Sequence, residues 1–201
     1  MKTQEKLETG TTTVGLKYKD GVVLVTDMKS TLGYLVASKA AQKIYQIDEN
    51  IGVTTAGGSG DTQALVRLLR AEINIYKLTR HSEFTVRAAK ALLSNILQGT
   101  RYYPYMAMMI VGGMDKRGPH VYSVDPVGGA EKDTYTATGS GSPIAYGILE
   151  DGFKNNMTKD DALNLAVRSI KSARKRDIFS GGDKILASVI DNRGFRFVDV
   201  E

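Results

Sequence analysis

The apolar positions of this 201-residue chain change period several times, and each change marks an expected element. Residues 12–19 read as a strand that turns at Asp20-Gly21. Val22 to Thr26 is a β-branched run typical of a buried strand. An Asp-Gly pair between two such runs signals a hairpin. Further strands are predicted at 34–37, 43–47 and 51–56. Helical spacing takes over from Asp61 to about Leu78, with Leu65, Leu68, Leu69, Ile75 and Tyr76 on one side. From about Thr85 to Leu97 a second stripe comprises Val86, Ala89, Leu92, Leu93, Ile96 and Leu97.

Strand patterns then return. Met106 to Val111 has no polar alternation, as in a strand covered on both faces. Segments 120–124 and 133–138 follow, separated by glycine and proline punctuation. Ser142-Pro143 suits an N-cap with proline in the first turn. Thr158 with Asp161 resembles a capping box ahead of a helix whose apolar face is Ala162, Ala166, Val167, Ile170 and Ala173. The chain closes with strands at 184–190 and 195–199, joined by the turn signal Asp191-Asn192-Arg193-Gly194.

The order is strands, two helices, strands, two helices, two strands. Hairpin turns imply antiparallel pairing, and the absence of single βαβ crossovers disfavours a doubly wound dinucleotide fold. Two antiparallel sheets stacked face to face, each with a helix pair outside, would bury every apolar stripe. The expected fold is therefore an α+β four-layer α-β-β-α sandwich in one domain, since no linker or repeat interrupts the chain.

Composition narrows the chemistry. A 42% hydrophobic fraction supports a sizeable core. The absence of cysteine excludes disulfides, thiolate metal sites and cysteine nucleophiles. Two histidines, His81 and His120, stand alone in polar contexts and read as surface residues. The net charge of +5 is scattered, its densest run being Arg174-Lys175-Arg176, which reads as a solvated helix end rather than a nucleic-acid site. No stretch reaches the roughly 18 apolar residues of a membrane helix, and the polar start lacks a secretory signal, so a cytoplasmic location is expected. No Gly-x-Ser-x-Gly, phosphate-loop or His-Glu-x-x-His pattern occurs. Tyr102-Tyr103-Pro104-Tyr105-Met106 reads as a packed helix-to-strand corner.

One threonine-rich strand start remains, Gly10-Thr11-Thr12-Thr13-Val14. Around it stand Thr26-Asp27, Ser38-Lys39-Ala40-Ala41-Gln42-Lys43-Ile44-Tyr45-Gln46-Ile47 and Thr55-Ala56-Gly57 with Gly60-Asp61. Tyr103-Pro104-Tyr105, Val111-Gly112-Gly113-Met114-Asp115, Ala137-Thr138-Gly139-Ser140-Gly141-Ser142, and Lys175-Arg176-Asp177 with Ser180-Gly181 complete the set. In this order the segments resemble archaeal-type proteasome β subunits, members of the N-terminal nucleophile hydrolases. Two places depart from that pattern. Gly181-Gly182-Asp183-Lys184 follows Ser180 where relatives carry a variant of Asp-Gly-Ile-Asp, and Met28-Lys29 stands where a more basic pair is common.

The resemblance implies a leader over residues 1–10, self-cleavage of the Gly10–Thr11 bond and a catalytic domain over 11–201. Thr11 would be the nucleophile and its freed α-amine the base, which suits a site without histidine. Lys43 would lie beside Thr11, oriented by Asp27. Ser140, Asp177 and Ser180 would support the amine, and the Gly57 N–H would stabilise an oxyanion. Taken alone, Gly57 reads as a turn glycine and Ser140 as a helix-entry residue. Ser30, Thr31, Ala41, Tyr45, Thr55 and Ser59 would line the substrate groove. No metal or cofactor is called for. The implied partners are α and other β subunits in stacked heptameric rings, an ATP-dependent unfoldase, and polypeptide substrates. Two alternatives stay open at this point: an unprocessed, non-catalytic assembly subunit of a mixed β ring, and a bacterial-type two-component ATP-dependent threonine protease.

Overall fold

The Asp20-Gly21 turn joins β1 (Thr13–Tyr18) to β2 (Gly21–Asp27), in a register that runs from Thr13 opposite Thr26 to Tyr18 opposite Gly21. A computed structural model describes residues 10–200, so all of the expected leader except Gly10 lies outside the described residues. After β2 come a small hairpin, β3 (Ser30–Leu32) and β4 (Leu35–Ser38), then β5 (Ile44–Asp48) and β6 (Ile51–Gly57). Helices α1 (Ser59–Arg80) and α2 (Val86–Gly99) lead to β7 (Ala107–Asp115), β8 (Gly118–Val124), β9 (Ala130–Asp133) and β10 (Tyr135–Thr138). Helices α3 (Ser142–Gly152) and α4 (Lys159–Arg176) precede β11 (Ile185–Asp191) and β12 (Gly194–Val198).

Two five-stranded sheets result, ordered β10-β1-β2-β11-β12 and β5-β6-β7-β8-β9, with antiparallel pairing throughout. Strand β2 shows why the layers form. Its period of two sends Val23 and Val25 into a cluster with α3 and α4, while Val22 and Leu24 meet Ile44, Ile110, Val121 and Ile190 between the sheets. A β-branched run covered on both faces gives this buried strand. A third cluster packs Leu65, Val66, Leu69 and Ile73 of α1 and Val86, Ala89, Leu93 and Leu97 of α2 on the outer face of the second sheet. The chain is therefore the expected four-layer sandwich.

Several expectations need correction. The single strand expected over 133–138 is two, because β9 pairs with β8 and β10 pairs with β1 in the other sheet. In α1, Leu68, Ile75 and Tyr76 face outward, whereas Val66 and Ile73 join Leu65 and Leu69 inside. Both stripes obey helical spacing, and only the packing partner distinguishes them. Ser142 is the first residue of α3 and Gly141 the cap, without a side-chain cap bond. Met106 and Met108 are exposed, so two-sided cover of β7 begins at Met109. Tyr102 and Tyr103 are exposed rather than packed, and only Tyr105 reaches the core. His81 is exposed as expected, but His120 is buried and bonded through Nε2 to Asp115 at 3.2 Å. In the basic run, Arg174 is half-buried and donates to the Gly182 carbonyl, while Lys175 and Arg176 are solvated.

The far end of the first sheet is tied by Asp191. Its carboxylate accepts Arg196 Nη1 at 2.8 Å and Nη2 at 2.6 Å, and the Tyr18 hydroxyl at 3.2 Å. The Arg196 hydrogen bonds hold this carboxyl well below the usual carboxylate range against the opposing effect of burial. A depressed carboxylate pKa contributes stability that is complete above the unfolded value, near 4, and is lost as pH falls toward the folded one. Asp191→Asn is expected to lower the unfolding free energy by about 2 kcal/mol at pH 7. Denaturant melts from pH 7 to pH 2 should show the gap closing in the acid limb.

Candidate active site

The site lies where β1 begins and β2 ends. Asp27 is fully buried, and four groups converge on its carboxylate. Lys43 Nζ and the Thr12 N–H both donate to Oδ1, at 2.7 and 3.0 Å. The Gly181 and Lys29 N–H groups donate to Oδ2, at 2.9 and 3.1 Å. The ammonium and the peptide unit joining Thr11 to Thr12 thus share one carboxylate oxygen. Lys43 Nζ also donates to the Lys29 carbonyl at 2.6 Å. Burial pushes the Lys43 pKa below the usual lysine range, against the pull of Asp27.

A second set of bonds surrounds the Thr11 nitrogen. Its N–H donates to Ser140 Oγ at 3.2 Å, and Ser140 Oγ lies 2.6 Å from Asp177 Oδ2. Ser180 Oγ lies 2.5 Å from the same Oδ2 and 2.6 Å from Thr12 Oγ1. Each hydroxyl has one proton, which settles the directions. Ser140 and Ser180 donate to the carboxylate, so Ser140 accepts from Thr11 N and Ser180 accepts from the Thr12 hydroxyl. Asp177 is the C-cap of α4, and its other oxygen accepts the Phe179 N–H at 3.2 Å, which folds the 177–181 loop back over β1.

Glycines make room for this wrapping. Gly139 has φ +92°, and a Cβ there would lie 2.0 Å from the Thr11 carbonyl oxygen. A Cβ on Gly10 would lie 1.6 Å from Phe179 Cβ, so that position admits only glycine. Gly57, at the end of β6, has φ +122°, and its Cβ would meet the Met106 carbonyl at 2.0 Å.

The six expected groove residues divide. Thr31 is buried, and its hydroxyl accepts the Gly10 N–H at 3.2 Å, so the chain preceding Thr11 occupies it. Ser30 starts β3 half-buried. Ala41 is half-buried, and its N–H donates to the Met28 carbonyl at 2.8 Å. Tyr45 packs on the α1 side of the second sheet, donates to the Gln42 carbonyl at 2.8 Å, and has its pKa raised by burial. Thr55 is buried, with its N–H on the Lys43 carbonyl at 2.9 Å, and Ser59 is exposed at the start of α1.

Sequence reasoning left out Lys29, Thr12 and Phe179. Lys29 and Phe179 act mainly through backbone groups, which residue type does not report, while Lys29 Nζ also holds the Ile178 carbonyl at 2.5 Å. The run of three threonines was the only available signal for Thr12.

Comparison with known proteins decides the family. A family model for the proteasome subunit matches residues 7–189. The chain belongs to the proteasome subunit family. It is 50% identical over 192 residues to the "Proteasome subunit beta" of Methanoculleus marisnigri, covering 95% of this chain and 90% of that one. It is 53% identical over 174 residues to that of Methanoregula boonei, covering 86% and 82%. It is 47% identical over 198 residues to that of Methanosarcina thermophila, covering 98% and 94%. The chain is thus a β-type subunit of the proteasome core, archaeal in kind, from a family whose members assemble into rings and include threonine peptidases. Among the described residues, no helix is long and apolar enough to cross a membrane.

Proposed function

We propose that this β subunit is the proteolytic one, a threonine endopeptidase that releases Thr11 by cutting its own Gly10–Thr11 bond and then degrades unfolded polypeptides. The observation that carries this reading is the double hold on the Thr11–Thr12 segment. Ser140 takes the Thr11 N–H at 3.2 Å, and the Asp27 oxygen that anchors Lys43 takes the Thr12 N–H at 3.0 Å.

In self-cleavage the Thr11 hydroxyl attacks the Gly10 carbonyl carbon. The C–N bond breaks, the Thr11 nitrogen takes the proton, and an ester to Oγ remains. Water opens the ester and leaves residues 1–10 as a free peptide. The same hydroxyl then attacks a substrate carbonyl, passing its proton to its own α-amine directly or through a water. Lys43 keeps that amine's pKa low, so that it is unprotonated near neutral pH. Ser140, with Asp177 and Ser180 behind it, holds the amine in place. The Gly57 N–H receives the developing oxyanion, a donor worth about 3–4 kcal/mol. The substrate adds as an extended segment beside Thr31 once the leader leaves its hydroxyl.

The partners in this reading are α subunits and further β subunits in stacked heptameric rings, with an ATP-dependent unfoldase supplying substrate inside the cytoplasm. Exposed Leu32, Tyr34 and Leu35 of the β3–β4 hairpin and Leu68, Ile75 and Leu78 of α1 are apolar surface that neighbouring subunits would cover.

Intact-mass measurement of particles from co-expressed α and β chains tests the proposal. Loss of residues 1–10 is expected, and retention in every copy would leave the non-catalytic assembly role. A loop substitution gives a second check. Gly139→Ala is expected to lower peptide hydrolysis about tenfold, because its Cβ meets the Thr11 carbonyl. Gly147→Ala in α3, where nothing lies within 4 Å, should leave it unchanged.

A further inference from the structure

Buried between the sheets, one step along β1 from the site, is a row of hydroxyls. Thr13 Oγ1 lies 2.8 Å from Thr54 Oγ1 on β6 and 2.7 Å from Thr138 Oγ1 on β10. All three residues are buried. The layer between stacked sheets is normally apolar, and elsewhere in this chain it is made by Val22, Leu24, Ile110, Val121 and Ile190. Burial of a threonine here does not by itself produce such contacts. Thr26, directly opposite Thr13 on β2, has a buried hydroxyl without a hydrogen-bond partner among the described residues.

The bridge joins two halves of the site. Thr13 opens β1 two residues after Thr11. Thr54 stands beside Thr55, whose N–H holds the Lys43 carbonyl, and three residues before Gly57. Thr138 is followed directly by the Gly139-Ser140-Gly141 loop that wraps Thr11. Strand β1 is therefore pinned at one hydroxyl both to the strand that leads to Gly57 and to the strand that leads to Ser140.

We propose that Thr13 is a positioning residue for the Thr11 reaction, setting the separation of the nucleophile strand from β6 through its hydroxyl. This rests on the proteolytic reading above. Two hydroxyls meet at about 2.8 Å, whereas a methyl group meets a hydroxyl or another methyl at about 3.5–3.8 Å. Valine has the shape of threonine but would move β1 from β6 by about 1 Å, a displacement worth up to about 100-fold in rate.

The test uses assembled α–β particles carrying Thr13→Val, Thr13→Ser or the triple Thr13→Val/Thr54→Val/Thr138→Val substitution, assayed with a fluorogenic peptide. Thr13→Val is expected to lower kcat 10- to 100-fold with KM within threefold of wild type, and Thr13→Ser to recover at least half the activity. The triple variant leaves none of the three hydroxyls orphaned, so it separates folding from positioning. It should assemble and still show the kcat loss. Unchanged kcat in Thr13→Val, a change confined to KM, full activity in the assembled triple variant, or failure of serine to rescue would each overturn the proposal. Failure of the underlying reading looks different: the wild-type particle would keep residues 1–10, or Thr11→Ala would hydrolyse peptide as fast as wild type.

Discussion

Replacing Thr11 with alanine is expected to lower peptide hydrolysis by at least about 1,000-fold and to leave residues 1–10 attached in every copy. Both effects have one cause. The hydroxyl that would attack a substrate is the one that would attack Gly10, so its removal stops processing and turnover together. Assembly should survive, because Thr11 contributes backbone bonds that alanine preserves. Its N–H still reaches Ser140, and its carbonyl still accepts the Gly141 N–H at 3.4 Å. Intact mass, native sizing and a fluorogenic peptide assay check the three parts. Thr11→Ser should be processed and active at a reduced rate, since it keeps the oxygen but loses the methyl that restricts χ1.

The second large effect concerns Lys43. Lys43→Met is expected to reduce kcat about 100-fold or more at pH 7.5. Without the ammonium, the freed α-amine returns to a higher pKa, and a larger share of it is protonated. The kcat profile should therefore shift toward alkaline pH, which distinguishes loss of tuning from loss of structure. The substitution also strands a fully buried Asp27 carboxylate, a loss of about 3–5 kcal/mol. Asp27→Asn/Lys43→Met removes both charges, and its unfolding midpoint should lie above that of Lys43→Met while its activity stays low. An unshifted pH profile in Lys43→Met would remove lysine from the account of base strength.

The order of elements was readable because each carries a local signal. The Val22–Thr26 run became β2, the Thr158–Asp161 cap opened α4 with the Asp161 N–H on the threonine hydroxyl at 3.2 Å, and the Asp191–Gly194 turn joined the last two strands. The misreadings share a different cause. Leu68 and Ile75 satisfy helical spacing as well as Leu65 and Ile73, and nothing local says which stripe meets the sheet. His120 sits in a polar stretch, yet its strand register turns it against Asp115 under α2. The break at Thr134 is invisible locally, since β9 and β10 differ in sheet rather than in composition.

For the site, the resemblance to proteasome β subunits, and no local pattern, grouped Thr11, Asp27, Lys43, Ser140, Asp177 and Ser180. They are spread over 170 positions of chain, and no local rule brings them within hydrogen-bond distance. Folding does so by placing β1, β2, the entry to β5, the β10–α3 loop and the end of α4 at one edge of the sandwich. The amino-acid sequence by itself determined residue chemistry and local element type, because propensity, period and capping act over a few neighbouring residues. Only the tertiary structure decided which carboxylate oxygen Lys43 shares with the Thr12 N–H, and which hydroxyls join β1 to β6. Those contacts depend on sheet stacking and strand register, which the whole apolar core sets at once.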